Sequence, residues 1–190
     1  MHIPAACTQN ISVLTFSEAL SQRLEPCPYD REKWIYIPEF YSEYRYILGT
    51  RGQTPLVCIG INPSTAIPDA LDNTLKSVSR IASGNGFDSF IMFNVYAQRA
   101  TRPNDMDKTI NPQLHHENMK AFEYMLSELS PSGRPHIWAA WGTIIEKRSY
   151  LADCVRDMVE IGKRHEALWL KVGKCSLKGH PHHPLYLRKD

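Results

Sequence analysis

The chain has 190 residues, 43% of them apolar and 22% charged, and a formal net charge of +2. This length closes a substantial core as a single domain, 1–190, without disulfides or metal, and the composition is that of a globular protein. No window approaches the roughly 18–20 uninterrupted apolar residues of a membrane span, and the start of the chain lacks the basic and apolar regions of a secretory leader, so the reading is a cytoplasmic protein without membrane contact.

Residues 1–50 read as an N-terminal extension packing on an α/β core of residues 51–190. Within it, 17–24 suits a short helix, and 34–47 is rich in aromatics: Trp34, Tyr36, Phe40, Tyr41, Tyr44 and Tyr46. Core packing is the reading for that stretch, with lining of a pocket as the alternative. Four apolar runs then stand out as strands, at 56–61, 90–94, 136–141 and 167–171. Each is bounded by turn formers and is too short for a buried helix. Apolar residues at helical spacing fill the gaps: Leu75, Val78 and Ala82 mark 73–83; Leu114, Phe122 and Met125 mark 112–129; Leu151, Val155 and Met158 mark 146–161. This alternation predicts a three-layer α/β domain with a central, mainly parallel four-stranded sheet. Right-handed crossovers make the carboxyl ends of those strands the expected ligand edge. The polar motifs begin there.

Five cysteines, Cys7, Cys27, Cys58, Cys154 and Cys175, are scattered and form no C-x-x-C pair, so no disulfide framework or cysteine-only metal site is expected. The histidines show no zinc-ligand spacing, and His115 and His116 are adjacent on a helix and face apart. No metal or other cofactor is read. Residues 163–190 hold seven Lys and Arg against two acids, which suits an anionic partner or is simply a solvated basic tail. No obligate protein partner is indicated.

At the first strand end, Gly60 permits close backbone approach and Pro63 sets the turn that aims Asn62, flanked by Ser64 and Thr65, off the strand. An amide there can position a water or clamp a hydroxyl. Asp69 and Asp72 precede the first core helix; Asp72 or Asn73 suits its N-cap, and either carboxylate can activate water or stabilise positive charge on a sugar. Asn94 closes the second strand and can pair with a nucleobase edge, with Tyr96 as a stacking face and Arg99, Thr101 and Arg102 toward phosphate. Trp141 and Gly142 end the third strand. Beyond the fourth, two prolines hold His180 and His183 extended, presenting imidazoles near neutral pH.

Taken together, these motifs resemble the family of unknown function DUF1643: Asn62 to Ala66, Asp72 and Thr74, Asn94 with Arg99-Ala100-Thr101, Ala140-Trp141-Gly142, and Gly179-His180-Pro181 with His183-Pro184-Leu185-Tyr186-Leu187. That family implies no activity. Gly60-Ile61-Asn62-Pro63 is also similar to the first motif of mismatch-type members of the uracil-DNA glycosylase superfamily. This second resemblance implies a uracil-DNA glycosylase-like fold. It also implies Asn62 as the residue that orients the attacking water, Asn94 as the base reader, and His180 or His183 as donor to the departing base. The expectation is a glycosylase-like hydrolase of an N-glycosidic bond, acting on a nucleic acid, nucleoside or nucleotide. The alternatives are a noncatalytic nucleotide or nucleic-acid binding module, and a hydrolase of a small phosphorylated metabolite gripped by Arg99, Lys178 and the histidines.

Overall fold

The structure, a computed structural model, describes residues 7–131 and 133–187. Four strands form where the apolar runs predict them: β3 (Pro55–Gly60), β4 (Ser89–Asn94), β5 (His136–Ala139) and β6 (Leu168–Leu170). Their order is β4-β3-β5-β6, all parallel. The predicted four-stranded sheet is nevertheless too small. The aromatic-rich N-terminal stretch supplies an antiparallel hairpin, β1 (Trp34–Ile37) and β2 (Ile47–Thr50), which adds to β4 and makes a six-stranded mixed sheet, β1-β2-β4-β3-β5-β6.

The hairpin escapes a pattern search because it has no polar face. Trp34 and Tyr36 join one core layer while Ile35 and Ile37 join the other, so all four β1 residues are buried. The same two-sided burial runs through the parallel strands. Leu56, Cys58, Phe90, Met92 and Trp138 face α2 (Asn73–Gly84), through Leu75, Val78 and Ile81. Val57, Ile59, Ile91, Phe93 and Ile137 face the layer of α1 (Phe16–Ser21), α3 (Pro112–Glu128) and α4 (Tyr150–Arg164). Three layers result.

Strand order fixes where a ligand can enter. From β3 the chain crosses to β4 through α2 on one face, then back past β3 to β5 through α3 on the other. The strands on either side of that reversal, β3 and β5, splay their loops apart at the carboxyl edge, the topological switch point of an open α/β sheet. The loops there are held by backbone bonds beyond the strands: Ala140 N–H donates to Ile59 O at 3.0 Å and Ala100 N–H to Pro63 O at 2.9 Å. The C-terminal loop is tied to α2, with Ser77 Oγ donating to Pro184 O at 3.1 Å.

All five cysteines are free, Cys58 and Cys154 in the core. Among the described residues no helix is long and apolar enough to cross a membrane, and no three His, Cys, Asp or Glu side chains gather as metal ligands. The basic C-terminal stretch is partly neutralised by ion pairs, Lys163 with Glu160, Arg164 with Glu123 and Lys178 with Glu146; Arg188 and Lys189 lie outside the described residues.

Candidate functional site

A cavity of about 400 Å³ opens at the carboxyl end of β3, within the roughly 300–1,000 Å³ of small-molecule sites. Its sides carry Asn62, Asp72 and His183. Arg45, Gly60 and Met92 line it from the buried interior, and Thr101, Leu185 and Tyr186 form an exposed rim.

Asn62 is clamped. Its Nδ2 donates to Pro63 O at 3.0 Å and to Ala100 O at 2.6 Å, so both amide protons are committed and Oδ1 is what it offers a ligand. Asp72 caps α2, its Oδ1 accepting from Leu75 N–H at 2.9 Å. His183 caps the short 3₁₀ turn Pro184–Tyr186, its Nδ1 accepting from Leu185 N–H at 3.4 Å. That bond assigns the ring proton to Nε2, so the neutral imidazole is a donor there. Burial holds the His183 pKa below its usual value of 6.5, against a smaller opposing pull from the Asp72 carboxylate. Gly142 supports this loop in the left-handed region, φ +63°, and a Cβ on it would lie 3.4 Å from His183 Cβ.

Below these residues lies a polar cluster inside the protein. Arg45 is 1% exposed; its Nη1 donates to Ala66 O and its Nη2 to Asn94 Oδ1, both at 3.2 Å. Asn94 is equally buried, and Gly60 makes room for it: a Cβ on Gly60 would lie 3.1 Å from Asn94 Nδ2. Arg99 joins from behind, donating to Ser64 O and, at 2.8 Å, to the Tyr36 hydroxyl, with its guanidinium 4.1 Å from the Tyr41 ring centroid. Burial, and then the charge of Arg99, pulls Arg45 down to about 9, so it remains cationic at neutral pH. Burial also lowers Arg99.

The model of one protein family, described as a protein of unknown function (DUF1643), matches residues 45–185. The chain belongs to that family. The DUF1643 match begins at Arg45 and ends at Leu185, so it contains every cavity-lining residue except Tyr186, and it leaves β1 outside. No curated protein and no solved structure matches the chain.

The structure brings together Asn62, Ser64, Asp72, Thr101 and His183 around the cavity of this DUF1643 domain, with Asn94 just beneath. Others lie elsewhere. Tyr96 is fully buried in the opposite core layer, where its hydroxyl accepts from Asn111 N–H at 2.9 Å. The consecutive N–H groups of Val95 and Tyr96 both donate toward β3, to Gly60 O and Ile61 O, which breaks the strand alternation that would have kept Tyr96 beside Asn94. Both Nη groups of Arg99 go to internal acceptors, and Arg102 pairs with Asp105 at 3.0 Å on the surface. Trp141 packs near Trp169, with ring centroids 6.3 Å apart. His180 turns to Glu146, Nε2 to Oε1 3.0 Å, and Lys178 joins the same carboxylate. Pro63 is buried and Thr65 exposed, and neither lines the cavity; Asp69 instead accepts from Trp34 Nε1 at 3.0 Å. Residue-level reading of the sequence missed Arg45 and took Tyr186 only as part of the C-terminal motif, without a role at the site. Arg45 is the lone cation between Tyr44 and Tyr46 in an otherwise aromatic stretch, which was the available signal.

Proposed function

We propose that this DUF1643 chain hydrolyses an N-glycosidic bond in a nucleic acid, nucleoside or nucleotide bound in the cavity at the carboxyl end of β3. The observation that carries the reading is the convergence of Asn62, Asp72 and His183 on one cavity at the topological switch point. The motif order, with Gly60-Ile61-Asn62-Pro63 first and the histidine loop last, adds the resemblance to the uracil-DNA glycosylase superfamily.

Each group has a part in the chemistry. Asn62 Oδ1, held by the clamp on its amide protons, accepts from a water and aims its oxygen at C1′. The Asp72 carboxylate takes that water's proton and faces the positive charge that develops on the sugar. As the C1′–N bond breaks, its electron pair leaves with the base, whose anionic atom accepts a hydrogen bond from His183 Nε2–H and takes its proton from water. Tyr186, 75% exposed on the rim, offers the stacking face that Tyr96 cannot.

The test is incubation with a panel of oligonucleotides, nucleosides and nucleotides followed by mass spectrometry for released base. Release that disappears in Asn62→Ala and His183→Ala supports the reading; no release from any substrate that the cavity binds overturns it. One observation favours the noncatalytic binding module as a second reading: capping of α2 by itself accounts for Asp72. The phosphorylated-metabolite reading loses two of its grips, since Arg99 is buried behind the cavity and Lys178 is paired with Glu146.

A further inference from the structure

Three buried donors in the polar cluster beneath the cavity have no partner among the described residues: Arg45 Nε, Asn94 Nδ2 and Arg99 Nε. All three belong to side chains only 1% exposed. An unpartnered buried donor is costly, more so when charged, and of these residues Arg45 is the one that lines the cavity, so its guanidinium is the group a ligand there can reach. Their neighbourhood selects the ligand. Arg45 and Arg99 are two cations side by side, and no carboxylate forms an ion pair with either among the described residues; Asp72 acts on them only through space. The first turn of α2, at Asn73 and Thr74, also lines the cavity and directs N–H groups and the positive end of a helix toward it. Donors and positive charge without a bound acid call for an oxyanion.

The geometry points to a phosphate monoester bound inward, against the Arg45 guanidinium and the first turn of α2, with Asn94 in the layer beneath. Resting on the N-glycosidic reading, we infer that the substrate is a free nucleoside monophosphate instead of a polymer. The buried end of the cavity is closed by Arg45, Gly60 and Met92, so a chain cannot thread past it, while a terminal phosphate fits there. The sugar then lies between Asn62 and Asp72, and the base emerges at His183 and Tyr186. Among the described residues Asp72 is the one acid lining the cavity; it limits affinity for a dianion and keeps the two cations partly balanced without ligand.

Calorimetric titration tests this with the four ribonucleoside 5′-monophosphates, the matching nucleosides, inorganic phosphate and a single-stranded oligonucleotide, against wild type and Asn94→Asp. The Asp variant is isosteric and gives Arg45 a buried counter-ion, so it keeps or raises Tm while setting a negative charge directly beneath the place of the phosphate. At least one monophosphate is expected to bind tenfold or more tightly than its nucleoside, with inorganic phosphate competing, and Asn94→Asp to abolish that difference. Equal binding of nucleoside and monophosphate, binding by the oligonucleotide alone, or an unaltered preference in folded Asn94→Asp each overturns the inference. The two readings fail separately. Phosphate-dependent binding without base release sinks the hydrolase and leaves this site standing; base release indifferent to phosphate does the reverse.

Discussion

Asp72 has two jobs that substitution can separate. It caps α2 through a 2.9 Å bond to Leu75 N–H, and in the proposed reaction its carboxylate takes a proton from water. Alanine removes both functions, whereas asparagine keeps a capping oxygen of equal rank and loses only the charge. Both variants lose the same through-space support to Arg45 and Arg99, so the difference between them isolates the cap. A lost N-cap costs about 1 kcal/mol, and in a chain of this length that moves Tm by about 2–4 °C. Thermal melts should therefore show Asp72→Ala unfolding about 2–4 °C below Asp72→Asn. Base-release rates in the same preparations should fall about 10²–10⁴-fold in both, the usual loss when a general base is removed. Equal melting temperatures would refute the capping account. Turnover in Asp72→Asn within tenfold of wild type would remove the carboxylate from the chemistry and leave Asp72 a helix cap.

The remaining expectations concern the rim and the histidine loop. The His183 proton should titrate below the usual 6.5 by NMR, and lower still in Asp72→Asn, because burial lowers it while the Asp72 charge raises it. The unfolded chain then binds this proton first, so wild type should lose stability relative to His183→Gln as pH falls from about 6.5 through the folded pKa; parallel melts from pH 7 to 5 check the sign. Gly142→Ala forces a side chain into the left-handed region at φ +63° and against His183, which should cost about 1–2 kcal/mol in denaturant unfolding and weaken ligand binding. Tyr186→Ala, at an exposed position, should leave stability within about 0.5 kcal/mol yet reduce affinity for a base-containing ligand about tenfold in titration, the scale of one lost stacking face.

Much of the sheet was legible because its parallel strands are short apolar runs between strong turn formers, and their helices carry an unambiguous 3.6-residue period. The Asn62 and Asp72 motifs were legible too, since a strand end and a helix start are where chain geometry exposes a side chain. The hairpin was not, because β1 and β2 have four residues each and are buried on both faces, leaving no alternation to detect. Tyr96 was misjudged for a local reason: two successive N–H groups turned to the same neighbour, and side-chain alternation stopped at Asn94.

From sequence alone, then, come the α/β class, the order of its core elements, the family and the loops that carry polar side chains, because each depends on patterns within a few residues. The tertiary structure decided which of those side chains meet. His183 faces the cavity and His180 faces Glu146 although only two residues separate them, because Gly142 and Ser77 hold one part of the loop against the site. Arg45 and Asn94 become partners across 49 positions of chain, and only the packing of β2 beside β4 brings two such donors under one cavity.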